Sequence, residues 1–221
     1  MNYYVSTPTG RECLALCRER RYREMACPVK TRKSKDGGRE ITKRSTTVHL
    51  DRYALDNGAW LFHTIGSDAD FQPFIDALVT IGPRADFVVA PDIVAGGADS
   101  LRLSTRWLPW CLMHSRLALI PVQDGMHPED VAAMVGERVG IFVGGSLEWK
   151  WTTVASWARF AELEGIYIHV GRVNSDRKAR RCADLGVHSC DGSTVAQFPR
   201  ETCDRMVKAT QPNRPWQGHL L

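Results

Sequence analysis

Short runs of apolar residues alternate along this chain with longer stretches in which apolar positions recur every three to four residues. The runs are 2–6, 52–55, 87–90, 117–122, 140–143, 166–170 and 186–189, each of a length that suits a strand buried on both faces. The amphipathic stretches at 11–26, 71–81, 99–115, 128–138, 152–164, 175–185 and 199–209 predict helices, and Pro28 closes the first of them. Strand then helix, repeated, means parallel pairing through right-handed crossovers. Seven strands are one short of a closed (β/α)8 TIM barrel. The expectation is therefore a compact α/β barrel of that type with one strand degenerate or missing, occupying 1–221 as a single domain. An open doubly wound sheet is the alternative, but Thr7-Pro8-Thr9-Gly10 stands where such a sheet carries its glycine-rich phosphate loop.

Composition narrows the class. Of 221 residues, 43% are apolar and 24% charged, which excludes a wholly disordered or collagen-like chain. No apolar run approaches the roughly 18 to 20 residues of a spanning helix, and the first ten residues lack a basic-then-apolar leader, so a cytoplasmic protein without a membrane partner is expected. The seven cysteines are scattered and odd in number, which reads as thiols.

The formal charge of +4 is unevenly spread. Residues 11–44 hold twelve basic and five acidic side chains, a local +7 that leaves −3 for the rest. Concentrated Lys and Arg suit a phosphate backbone, so Arg20, Arg21, Arg23, Lys30, Arg32, Lys33 and Lys35 are candidate nucleic-acid contacts. They lie on a basic helix followed by a turn-rich Lys33-Ser34-Lys35-Asp36-Gly37-Gly38 stretch, expected as a mobile loop or long hairpin tip within about 11–45.

In a parallel α/β fold, ligands meet the carboxyl ends of the strands. Just after successive apolar runs stand Asp56-Asn57-Gly58, Pro91-Asp92, Gln123-Asp124-Gly125, Gly144-Gly145-Ser146, Gly171-Arg172-Val173-Asn174 and Asp191-Gly192. Carboxylates, amides and exposed glycine backbone converging on one mouth are parts for recognising a planar polar ligand and for carboxylate nucleophile with acid/base chemistry. Trp149 and Trp151 are candidates for stacking on bases or for the core, and His169 and His188 are expected inside the barrel.

These motifs resemble, in the same chain order over roughly 56–191, the tRNA-guanine transglycosylases and their DNA-modifying relatives of phages and genomic islands. Asp56 with Gly58 is similar to the family's Asp-Ser-Gly-Gly-Phe, and Val122-Gln123-Asp124-Gly125 to its Val-Gln-Gly. Gly144-Gly145 resemble the Gly-Gly whose backbone touches the base, and Val170-Gly171-Arg172-Val173 the family's Met-Gly-Val-Gly. The resemblance implies Asp191 as covalent nucleophile and Asp56 as general acid/base. Asp92, Gln123, Gly144, Gly145 and Gly171 would bind the base. It further implies a guanine transglycosylase, a pentosyltransferase exchanging guanine for a 7-deazaguanine such as 7-cyano-7-deazaguanine, with no cofactor.

The chain departs from the family after the nucleophile, where Gly192-Ser193-Thr194 replaces Cys-Val-x-Pro-Thr-Arg, and at Gly145-Ser146-Leu147-Glu148-Trp149. The family's Cys-x-Cys-x-x-Cys zinc segment has no counterpart, and Cys182, His188, Cys190 and Cys203 do not reproduce zinc-site spacing, so no metal is expected. That favours DNA over tRNA as the partner. A non-catalytic nucleic-acid-binding homologue and an unrelated barrel hydrolase with paired carboxylates are the competing readings.

Overall fold

The computed structural model describes residues 1–44 and 46–211. The chain opens with β1 (Asn2–Ser6), α1 (Arg11–Glu19), β2 (Arg23–Ala26), the pair β3 (Val29–Lys33) and β4 (Arg39–Lys43), and β5 (Tyr53–Leu55). Next come α2 (Ala59–Thr64), α3 (Gln72–Ile81), β6 (Val88–Val89), α4 (Gly97–His114), β7 (Ala118–Val122) and β8 (Val139–Val143). The last part is α5 (Leu147–Leu163), β9 (Ile168–Val170), α6 (Asp176–Asp184), β10 (Ser189–Gly192), α7 (Thr194–Gln197) and α8 (Pro199–Ala209). Eight strands pair in parallel in the order β1, β10, β9, β8, β7, β6, β5, β2, and β2 returns to β1 to close the ring. The fold is a closed (β/α)8 TIM barrel, complete in its strands.

Period-two alternation divides each strand between two cores. Tyr4, Met25, Ala54, Phe87, Val89 and Leu119 point inward and pack together in the barrel. Their neighbours Tyr3, Val5, Ile120, Val122, Ile141, Val143, Ile168 and Val170 point outward, beneath the helices. The runs read as continuously apolar because both faces are covered.

The missing strand is β2, which the sequence pattern places inside a helix over 11–26. The helix stops at Glu19 because Arg21 turns left-handed at φ 55°, with its N–H bonded to the Arg18 carbonyl, and the chain reverses into a strand paired with β1 and β5. Of the two expectations for the stretch at 30–45, the hairpin forms and the mobile loop does not: an antiparallel ladder runs from Val29 opposite Lys43 to Lys33 opposite Arg39. No α-helix forms over 128–138; a short 3-10 turn at Pro128–Asp130 and successive tight turns carry the chain to β8. The last strand begins at Ser189, so Asp191 lies within it and not beyond it. Residue 45 of the expected loop and residues 212–221 of the expected single domain lie outside the described residues.

Because the barrel strands run one way, their first residues define one face and their last residues the other. Arg20, Arg21 and Arg23 fall on the face where the strands begin. Arg20 pairs with Asp204 at 2.7 Å, and Arg23 donates to Asp86 at 3.0 Å and to the Tyr4 hydroxyl at 3.1 Å. Tyr4 also donates to Asp86 at 2.8 Å, and Arg52 reaches the same carboxylate at 2.5 Å, so this cluster plugs that end of the barrel. The expected continuous basic patch is thus split: these arginines sit opposite the strand ends that carry the aspartates, while Lys30, Arg32, Lys33 and Lys35 ride the β3–β4 hairpin that rises from the end of β2.

Candidate active site

The strand ends converge on one cavity of about 370 Å³, a size suited to a small planar ligand. Asp56, Asp92, Gln123, Gly144, Gly145 and Asp191 all line it, joined by Ser6, Cys27, Asn57, Trp60, Arg172 and Asn174. Gly171 is not among the lining residues. A Cβ there would overlap the Phe142 ring, and its carbonyl accepts a hydrogen bond from Lys150 Nζ at 2.5 Å, so this glycine packs behind the site.

Asp191 projects inward from β10, with 7% of its surface exposed. Its Oδ2 accepts from the Ser6 hydroxyl at 3.1 Å, and its Oδ1 faces His169 Nε2 at 3.0 Å and accepts from the Arg172 N–H at 3.3 Å. His169 is fully buried on β9 and stacks on Phe142 with ring centroids 5.0 Å apart. Burial lowers its pKa against the pull of Asp191, which favours the neutral ring with a single N–H. The Tyr167 hydroxyl donates to Ser189 at 2.8 Å, and Ser189 Oγ lies 2.7 Å from His169 Nδ1. The serine hydroxyl then donates a hydrogen bond to Nδ1, which leaves the ring N–H on Nε2, aimed at Asp191.

On the β5 and β6 side, Asn57 Nδ2 donates to Asp92 Oδ1 at 2.8 Å and to the Ala90 carbonyl at 2.7 Å. Gln123 Nε2 lies 3.3 Å from Asp92 Oδ2, 2.9 Å from the Ile93 carbonyl and 2.5 Å from Ser100 Oγ. Its amide nitrogen is occupied within the protein, so Gln123 orients Asp92 and does not present that donor to a base. Burial raises Asp92 to about 6, with Asn57, Gln123 and Arg172 opposing. Asp56 rises further, to about 7, through burial first and then the charges of Asp191 and Asp92, against the N–H groups of Gly58 and Asn57. Position 145 requires glycine on two counts: its φ is left-handed at 71°, and a Cβ there would lie 2.6 Å from Asp124 Oδ2 and 2.8 Å from Trp149. Asp124 in turn accepts from Ser146 N at 2.7 Å and from its hydroxyl at 2.5 Å, fixing this loop.

The other candidates lie elsewhere. Trp149 and Trp151 pack half-buried against the outer core, and Trp151 sits under Lys178 and Arg181. The aromatic side chain at the mouth is Trp60, 41% exposed, which the sequence pattern does not single out. His188 is exposed where β10 begins and stacks on Tyr167, so it is not an interior residue. All seven cysteines are free. Among the described residues no set of three or more His, Cys, Asp or Glu side chains is arranged for a metal ion, and no helix is long and apolar enough to cross a membrane.

No protein-family model and no curated protein matches this chain. Solved structures do. Tryptophan synthase from M. tuberculosis in its aminoacrylate- and BRD0059-bound form aligns with 95% of this chain and 89% of its own, at 15% identity and a TM-score of 0.54. The open form with BRD0059 bound gives 16% identity, 95% and 89% coverage and a TM-score of 0.53. The likeness is one of fold. At such identity the chemistry has to be argued from the site itself.

Proposed function

We propose that this protein is a base-exchange transglycosylase, a pentosyltransferase that replaces guanine in DNA with a 7-deazaguanine derivative. One observation carries the reading: Asp56 and Asp191, from non-adjacent strands, line a single cavity and bear on each other electrostatically, with Asp92 held beside them by two amides. Asp191 Oδ2 attacks C1′ of the nucleotide as the bond to guanine breaks through an oxocarbenium-like transition state, giving a glycosyl-enzyme. Asp56, which holds a proton into the neutral range, protonates the departing guanine and later takes a proton from the incoming base, which attacks C1′ and restores Asp191. Asp92 accepts from N1–H and the exocyclic amine. The Gly145 N–H, which has no partner among the described residues, donates to the base carbonyl. His169 holds Asp191 by its N–H. A base inside a duplex is out of reach, so the nucleotide flips, and the hairpin cations Lys30, Arg32, Lys33 and Lys35 meet the phosphates.

The test is to incubate the protein with guanine-labelled duplex DNA and 7-cyano-7-deazaguanine, follow label release and trap the adduct. The expected result is release by wild type and none by Asp191→Ala. Release unaffected by that substitution removes the mechanism, exchange on tRNA alone keeps the chemistry and changes the substrate, and binding without release identifies a non-catalytic homologue.

A further inference from the structure

Among the described residues twenty-one line the cavity, and Arg172 is the only Lys or Arg of these. Its backbone is left-handed at φ 58°, a conformation that costs a residue bearing a side chain. From there the guanidinium carbon lies 3.9 Å from the centre of the Trp60 ring, and one guanidinium nitrogen donates to the Gly145 carbonyl. The side chain thus spans from the loop after β9 to the loop after β8 and the start of α2. Among the described residues Arg172 forms no salt bridge, whereas Arg20, Arg23, Arg32 and Arg52 each do. A guanidinium has five N–H donors in a fork that matches two oxygens of one phosphate, and here a single donor is committed, to a neutral carbonyl.

Position adds the second half of the case. The Arg172 N–H donates to Asp191 Oδ1, so the cation is anchored one residue's length from the carboxylate argued to attack C1′. The base-binding pole is Asp92, held by Asn57 and Gln123, and it belongs to other strand ends. A nucleotide seated with its base at that pole and C1′ at Asp191 carries its phosphate outward past Arg172. Barrels of this architecture commonly bind phosphate at the loops after the seventh and eighth strands, which here are β9 and β10. These loops are tied together, since Ser193 N donates to Asn174 Oδ1 at 2.8 Å and Thr194 Oγ1 to the Asn174 carbonyl at 2.9 Å.

We infer that Arg172 binds the phosphate of the nucleotide whose base occupies the cavity, and that the Trp60 face is where the guanidinium rests until that phosphate arrives. The inference rests on the base-exchange reading. Burial disfavours the Arg172 charge, while Asp191, Asp124 and Asp92 support it, so an arriving phosphate meets a cation already in place.

The experiment compares wild type, Arg172→Lys and Arg172→Gly. Glycine suits the left-handed backbone, and a thermal midpoint no lower than wild type establishes that the variant is folded. Anisotropy of a short labelled single-stranded oligodeoxynucleotide containing guanine is titrated over a salt series, and free guanine and deoxyguanosine monophosphate are titrated by calorimetry. In Arg172→Gly the oligonucleotide is expected to bind about tenfold more weakly, with the slope of log K against log salt shallower by about 0.7. Guanine affinity stays within about twofold, because every hydrogen bond to the base is kept. Arg172→Lys keeps the slope and loses part of the affinity. Loss on both phosphate-bearing ligands assigns Arg172 to the nucleotide's own phosphate. Loss on the oligonucleotide alone assigns it to a neighbouring phosphodiester and overturns the inference. Unchanged oligonucleotide binding and slope, or an equal loss for guanine, overturns it. If wild type releases guanine from DNA while Arg172→Gly binds normally, only this inference falls; if wild type neither releases guanine nor distinguishes guanine-containing from guanine-free strands, the base-exchange reading falls and takes it along.

Discussion

Asp56 owes its chemistry to its surroundings. Burial and two neighbouring carboxylates raise its pKa to about 7, so the acid form persists where an exposed aspartate is ionised. If Asp56 delivers the proton to guanine, release slows as pH rises through about 7, and Asp56→Asn loses about 100-fold or more together with that limb of the profile. A pH-independent wild-type rate between 6 and 9 would remove Asp56 from the role of acid. His169 offers a different kind of test, because it touches Asp191 and not the cavity. His169→Phe preserves an aromatic face for Phe142 but deletes a hydrogen bond to a charged group worth about 1.5–3 kcal/mol. The expected outcome is kcat lowered about 10- to 100-fold at nearly constant KM in steady-state base exchange, and an unchanged kcat would make the ring mere filling. The acidic residues and Gln123 are legible in the sequence because a polar side chain just after an apolar run is conspicuous. His169 is legible only as interior, since it is embedded in the run, and nothing in the pattern pairs it with a residue 22 positions on. Arg172 stands within a motif, but its role depends on a backbone angle that no spacing encodes.

At the scale of elements, β2 is hidden because the boundary before it carries neither glycine nor proline. Arg20-Arg21-Tyr22 continues the helical pattern, and the chain turns there by placing an arginine where glycine is usual. Pro128 and an apolar stretch up to Gly136 suggest a helix that the short crossover between β7 and β8 does not form. The hairpin is half legible: its Gly37-Gly38 tip shows as a turn, but its rungs are mostly charged, with no apolar alternation to reveal them. Its placement leads to a clean expectation for nucleic-acid binding. Alanine at both Lys33 and Lys35 should make the slope of log K against log salt for duplex DNA shallower by about 0.9 for each phosphate that is no longer neutralised. Alanine at both Arg20 and Arg21, on the opposite face, should leave it unchanged. Equal effects of the two pairs would mean that DNA does not approach from the strand-end face.

Across the whole molecule, the least expected charge is Lys150, with none of its surface exposed and its amine donating to the Gly171 carbonyl. Burial above all, helped by Arg172, lowers its pKa to about 7. The unfolded chain keeps that proton up to roughly pH 10, while the native state gives it up near 7, so this residue's contribution to stability grows as pH rises from about 7 to 10. Denaturant midpoints of wild type and Lys150→Met, measured across that range, should therefore diverge in favour of wild type with rising pH, by a few kcal/mol. A difference that ignores pH would mean that the amine keeps its proton in the native state just as it does in the unfolded chain.

With the Tyr4, Arg23, Arg52 and Asp86 cluster at the other end of the barrel, the described residues open the cavity at the strand ends. In a base exchange the outgoing purine and its replacement must then pass through the same opening, one after the other, with the sugar waiting on the enzyme between them. Turnover should follow double-displacement kinetics, with parallel reciprocal plots, and guanine left in solution should compete directly with the base that is meant to succeed it.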